Sequence, residues 1–273
     1  MDMHAPIGIF DSGLGGLTVT RAVIDRLPHE HLVYLGDTAR VPYGTRSPET
    51  VLRYARSCAS HLTQRGIKLL VVACNTVSAV ALEMLRAELD IPVLGVIEPG
   101  ARAASEASRG GRIGVLATRG TVASGAYSRA VAAASSRAEV FAKAAPLLVP
   151  LAEEGWTEGQ LPQLAVDRYL AELDGHDVDT IVLGCTHYPL FRPLIEARAA
   201  VHFGPETVVV DSAEATAAEL EAVLVERQLL RSTADRPGEL SLFVTDLPDR
   251  FAEVASRFLG LSVAGLKVEQ IDL

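Results

Sequence analysis

A chain of 273 residues, 49% hydrophobic and 22% charged, is long enough for one large or two medium cores and too apolar to be disordered or fibrous. Its 25 basic and 34 acidic side chains leave a net charge of −9 with no basic run, which opposes phosphate backbones and argues against a nucleic-acid partner. No apolar run approaches the ~20 residues that span a bilayer, the first residues form no cationic leader, and three cysteines are not a disulfide framework, so a reduced, cytoplasmic protein off the membrane is expected.

In chain order, residues 7–10 read as a short buried strand that gives way to Asp11-Ser12-Gly13-Leu14-Gly15-Gly16 and a helix over 17–27. A second strand at 31–35 runs into a polar loop at 36–47. A helix over 48–65 follows, with Ser47 as N-cap and Gly66 as stop. Residues 68–73 form a strand ending at Cys74, and a helix over 76–89 and a strand over 91–96 close this unit. The pattern restarts at residues 112–117, which resemble 7–10 and end at Thr118. A helix over 121–135, a strand over 139–142, a loop with Glu153 and Glu154, and a helix over 160–173 lead to a strand over 179–184 and Cys185. Cys74 follows Ile7 by 67 residues and Cys185 follows Ile113 by 72, so each half delivers one cysteine at an equivalent strand end. The tail carries a strand at 207–211 expected to pack back on the first half, a helix reaching about 228, and strands at 240–244 and 266–271.

Strands alternating with helices predict an α/β fold of two pseudo-symmetric three-layer domains with mostly parallel sheets. The expected division is 1–97 with 208–273 on the Cys74 side, and 98–207 on the Cys185 side. Ligands in such folds bind beyond the carboxyl ends of the strands, where Asp11, Ser12, Cys74, Thr118 and Cys185 all fall. Two thiols facing each other across a cleft between domains have the geometry of two-base racemisation. One removes a proton from a stereogenic carbon and the other donates to the opposite face. Ser12, Tyr43, Asn75, Thr76, Thr118 and Thr186 supply the hydroxyl and amide donors that suit a carboxylate substrate.

Other readings of these residues are plainer. Cys58, within a helix, suits a small buried apolar role. Asp11 could be a simple helix N-cap, Tyr43 an ordinary loop aromatic, and Glu153 and Glu154 solvated surface charges. The Gly13-Leu14-Gly15-Gly16 loop fits neither the dinucleotide nor the Walker spacing, and its glycines are expected to let backbone N–H groups approach a carboxylate. The histidines other than His187 show no metal-ligand spacing with the cysteines. A redox protein closing a Cys74–Cys185 disulfide, or a silent binding protein, remain rivals at this level.

Four strings, beginning at Gly8 (Gly-Ile-Phe-Asp-Ser-Gly-Leu-Gly-Gly-Leu-Thr-Val), Gly36 (Gly-Asp-Thr-Ala-Arg-Val-Pro-Tyr-Gly), Val72 (Val-Ala-Cys-Asn-Thr-Val-Ser-Ala) and Leu183 (Leu-Gly-Cys-Thr-His-Tyr-Pro-Leu), closely resemble the glutamate racemase family. The resemblance implies cofactor-independent and metal-free interconversion of L- and D-glutamate for peptidoglycan synthesis, by a homodimer with its site between two α/β domains. Carried over by motif, Cys74 and Cys185 look like the two acid/base residues. Asp11 and Ser12 resemble a substrate-binding pair, with Asp11 meeting the ammonium group or assisting Cys74. Tyr43 with Gly44, Asn75 with Thr76, and Thr186 match the remaining substrate-binding motifs. His187 looks like the helper of Cys185, and Glu153 stands where the family has a carboxylate, with Glu154 adjacent. The chain has six residues before its first strand, so activation by a cell-wall precursor through an N-terminal extension is not expected. A relative acting on aspartate is the nearest rival.

Overall fold

Continuous apolar runs become strands buried on both faces, as parallel sheets covered by helices require. This holds for β1 (Ile7–Asp11), which leads in chain order to α1 (Leu17–Arg26), β2 (Leu32–Gly36), α2 (Pro48–Thr63), β3 (Leu69–Val72), α3 (Asn75–Glu88) and β4 (Val93–Gly95). The computed structural model describes residues 2–232, 234, 236–260 and 267–273. The chain continues through α4 (Ile97–Ala107), β5 (Arg112–Ala117), α5 (Arg119–Ser124), α6 (Ala126–Ala134), β6 (Glu139–Ala144), α7 (Leu148–Glu153) and α8 (Gln160–Ala171). It then forms β7 (Thr180–Gly184), α9 (Arg192–Phe203), β8 (Val208–Asp211), α10 (Ser212–Glu226), β9 (Leu240–Val244), α11 (Pro248–Leu259) and β10 (Val268–Gln270).

Two sheets result, ordered β10-β9-β2-β1-β3-β4 and β6-β5-β7-β8, and every described pairing is parallel. The central pairs are equivalent. Phe10 lies opposite Val72, so Asp11 and Ser12 emerge beside Ala73 and Cys74. Ala117 lies opposite Gly184, so Thr118 emerges beside Cys185. Ser47 caps α2 by accepting the Thr50 N–H at 3.4 Å, Gly66 ends that segment at φ +71°, and Cys58 sits in the helix's buried face.

The expected α/β architecture is present, with several local differences. Residues 208–211 pair with β7 in the second sheet, not with the first half, because strand membership follows backbone pairing and a valine run alone does not encode it. The chain therefore returns to the first sheet through α10, which packs on both α1 and α4. The helix expected over 121–135 is two helices, since Gly125 takes a left-handed conformation at φ +66°. Glu153 ends helix α7, where a loop was expected. Helices α4 and α11 were not anticipated. The last strand forms at Val268–Gln270, and residue 266 of the expected span lies outside the described residues. Among the described residues no helix is long and apolar enough to cross a membrane.

At the edge of the first sheet away from the cysteines, Lys68 and Glu30 form a dry ion pair, Nζ to Oε2 2.6 Å, with side chains 0% and 1% exposed. Lys68 also donates to the Met3 and Leu229 carbonyls at 2.7 and 2.8 Å, and Glu30 Oε1 accepts the Arg231 N–H at 2.9 Å. The pair thereby ties the segment after α10 to the base of β3. Lys68→Met leaves Glu30 buried without its cation and should cost about 3–5 kcal/mol in urea unfolding. An unchanged midpoint would contradict this account.

Candidate active site

The carboxyl ends of the two sheets open into one cavity of about 370 Å³. From the first sheet it receives Ser12 after β1, Tyr43 and Gly44 in the 3₁₀ turn Tyr43–Thr45, and Cys74, Asn75 and Thr76 at the start of α3. From the second it receives Thr118, Glu153, Cys185, Thr186 and His187. Of the residues given catalytic or substrate-binding roles by motif, Asp11 alone is not among those lining this space. As the last residue of β1 it is fully buried, its Oδ2 accepts the Gly13 N–H at 2.9 Å, and its Oδ1 has no hydrogen-bond partner among the described residues. Direct contact between Asp11 and a ligand's ammonium group is therefore not what this geometry offers. Asp11 stands behind Cys74, and burial raises its own carboxyl above the ordinary value against the opposing pull of His187 and the nearby backbone N–H groups.

The two thiols are free and each is 6% exposed, but their surroundings differ. Cys74 occupies the N-cap position of α3, and its Sγ donates to Ser12 Oγ at 3.3 Å. Burial, reinforced by the charge of Asp11, pushes this thiol up to about 12, against the help a helix N-terminus gives a thiolate. Cys185 Sγ lies 3.8 Å from His187 Nδ1, and His187 Nε2 lies 3.1 Å from Glu153 Oε1. Burial alone would depress the imidazole. Its hydrogen bonds and charge interactions with Cys185 and Glu153 outweigh that and raise it to about 10, which favours the imidazolium. Glu153, not Glu154, is the carboxylate at this histidine. Glu154 is exposed and lies 3.9 Å from Arg250.

Three contacts fix the walls. Tyr43 OH bonds to Asp37, which also accepts from Arg40 Nε at 2.6 Å and Thr245 Oγ1 at 2.9 Å, so a fully buried carboxylate holds the Tyr43 loop. Thr76 Oγ1 meets Thr118 Oγ1 at 3.0 Å, joining the two halves across the cavity. Gly15 packs so tightly on the other half that a methyl group there would collide with Thr186 Oγ1 and His187 Nδ1. Beside it, Thr18 Oγ1 donates to the Thr186 carbonyl at 3.0 Å. The glycine loop thus serves close approach of the halves, while the Gly13 N–H is taken by Asp11.

One participant carried no motif signal. Tyr127, buried on α6, donates to Asn75 Oδ1 at 2.8 Å. With Oδ1 so engaged, the buried Asn75 Nδ2 has no hydrogen-bond partner among the described residues, and Asn75 is one of the residues that line the cavity. Arg119, Pro146, Val149 and Pro150 also line the space and were not singled out.

The comparisons with known proteins agree along nearly the whole chain. Residues 7–220 match the family model described as Asp/Glu/Hydantoin racemase. The chain belongs to the Asp/Glu/Hydantoin racemase family. Within it, the chain is similar to a glutamate racemase from Geobacter metallireducens, 53% identical over 254 residues covering 93% of this chain and 92% of that one. It superposes on the crystal structure of a glutamate racemase isoform from Bacillus anthracis with TM-score 0.92 and 38% identity, covering 99% of this chain and 98% of that one. A glutamate racemase from Francisella tularensis, solved in complex with D-glutamate, gives TM-score 0.89 at 32% identity over 99% of this chain and 98% of that one.

For this family member the position of Asp11 makes a measurable claim. Asp11→Asn removes negative charge from behind Cys74 and should lower the pH at which that thiol ionises. Iodoacetamide labelling of Cys74, read by mass spectrometry against pH in a Cys58→Ser background, should shift to lower pH. An unmoved profile would show that burial alone sets this thiol.

Proposed function

We propose that this chain interconverts L- and D-glutamate by two-base proton transfer, with Cys74 and Cys185 as the paired acid and base. The observation that carries the proposal is that two cysteines from equivalent strand ends line one cavity with unlike neighbours, Asp11 behind one and His187 beside the other. The full-length similarity to glutamate racemases supports the choice of substrate.

In this mechanism one cysteine, as thiolate, takes the α-proton and the C–H electron pair passes into the adjoining carboxylate. The thiol opposite gives its proton to the other face of the planar carbon, forming the mirror-image C–H bond. The cysteines end with exchanged protonation states and no atom is gained or lost. Asn75, Thr76, Thr118, Thr186 and Ser12 are the donors suited to the carboxylates, where fixed hydrogen bonds stabilise developing charge. Tyr43 and Gly44 close the wall beside Thr118, and the His187 imidazolium, supported by Glu153, orients Cys185 and offsets the charge of a dianionic substrate. We place the reaction in the cytoplasm, where thiols stay reduced, in a homodimer, with D-glutamate consumed in peptidoglycan synthesis.

The deciding experiment is incubation with L-glutamate in heavy water without added cofactor. Optical activity should vanish as deuterium enters the α-position, and a stable rotation with no exchange from either enantiomer would sink the reading. Aspartate run in parallel should exchange far more slowly. Cys74→Ala and Cys185→Ala should each lower kcat by at least roughly 10²–10⁴-fold, the scale of a lost general acid or base. A fully active variant of either would end the two-thiol account.

Tyr127→Phe separates binding from chemistry. It frees the Asn75 amide to rotate, so KM for both enantiomers should rise about 3- to 10-fold, the scale of one net hydrogen bond, with a smaller effect on kcat. Unchanged KM would remove Asn75 from substrate recognition.

A further inference from the structure

Helix α11 begins at Pro248, beyond residue 220 where the family match ends, yet it reaches the site. Its apolar face, Phe251, Ala255, Phe258 and Leu259, is buried at helical spacing. Phe251 packs against Tyr34 of β2 with ring centroids 6.1 Å apart, and Arg21 of α1 donates to the Leu259 carbonyl at 2.9 Å, so the helix is seated on the first sheet's half. From there its last turn crosses to the other half. The Phe258 ring stands nearly perpendicular to the His187 ring, at 84° and 5.4 Å between centroids, and Arg257 Nη1 donates to the Glu153 carbonyl at 2.9 Å. One turn of one helix thus touches both members of the His187–Glu153 pair directly, whereas toward Cys74 its described reach is indirect, through Tyr34, whose hydroxyl donates to the Gly13 carbonyl at 2.8 Å.

We infer that Phe258 and Arg257 are positioning residues that hold His187 and Glu153 in register with Cys185, so that the C-terminal helix sets the competence of one thiol and not the other. The inference rests on the two-thiol reading and adds a direction to it. Weakening α11 slows proton transfer to and from Cys185 and leaves transfer at Cys74 as it was.

Rates alone cannot reveal this, because enantiomers have equal free energy and kcat/KM must therefore remain equal in both directions. Isotope effects can. With Cys185 slowed, the enantiomer deprotonated by Cys185 meets its slow step at C–H cleavage, and its primary effect rises toward the full value. Its mirror image, deprotonated by Cys74, reaches the carbanion reversibly and waits for Cys185, so its primary effect falls toward unity.

The test uses Phe258→Leu and Arg257→Met in the full chain, with α-deuterated L- and D-glutamate as probes. Phe258→Leu should lower kcat/KM roughly tenfold, a fraction of a full general-base loss, and split the two isotope effects in opposite directions. Arg257 is exposed, so Arg257→Met keeps the fold and should give the same split at smaller amplitude, which carries the test if Phe258→Leu does not fold. Isotope effects that stay equal to the parent's, or move together, would overturn the inference and reduce α11 to a packing element. Absence of exchange by the parent enzyme would instead strike the two-thiol reading itself, before any variant is made.

Discussion

Two thiols that share one small cavity cannot profitably be charged at once, since each thiolate raises the cost of the other in a low-dielectric space. The proposed proton transfer between them across a substrate needs one of each form. The two thiols have unlike neighbours: burial, with Asp11 behind it, raises Cys74, while Cys185 has beside it an imidazole whose own value is raised by its contacts with Cys185 and Glu153. Both neighbours are buried where water cannot screen them. The duplicated scaffold supplies equivalent positions, and the proposed chemistry depends on their being made electrostatically unequal.

These neighbours are held partly by the repeated strands and partly by segments outside the repeat. Asp11 is fixed because it is still paired in β1, and His187 because Glu153 at the end of α7 accepts from its far nitrogen. The cavity wall at Tyr43 depends on Asp37, which in turn is bonded to Thr245 just after β9. The C-terminal segment is therefore part of the site's support on both sides, through Thr245 at the Tyr43 loop and through α11 at His187.

Much of this was legible in the sequence for a simple reason. Strands of a parallel sheet buried on both faces read as unbroken apolar runs, so β1, β5 and β7 and the polar residues just beyond them could be placed to within a residue or two. Sheet membership was not legible, and Val208–Asp211 went to the opposite sheet from the one expected because pairing partners leave no mark on a valine run. Gly125 split a helix whose apolar spacing continues through it, and α4 starts directly after β4 with Pro99 and Gly100 in its early turns, which reads as a loop. In the site, the motif residues gathered as anticipated, with Asp11 set one layer behind the others. Tyr127, Phe258 and Arg257 were not legible, since each acts through another residue's orientation. Phe251, Ala255, Phe258 and Leu259 do carry helical spacing, and that signal alone could have found α11.

Gly15 has a consequence for how the site can vary. At most places where two halves of a protein meet, the gap is filled by side chains that repack when one of them changes. Here bare backbone rests directly against Thr186 and His187, with no room for a methyl group. The separation of the two halves at this point is therefore gauged by the thickness of the main chain itself. It costs no side-chain entropy to hold, it has no rotamers through which to drift, and no larger residue can be inserted to tune it. The spacing of the halves behind Thr186 and His187 thus stays at the value that the backbone dictates.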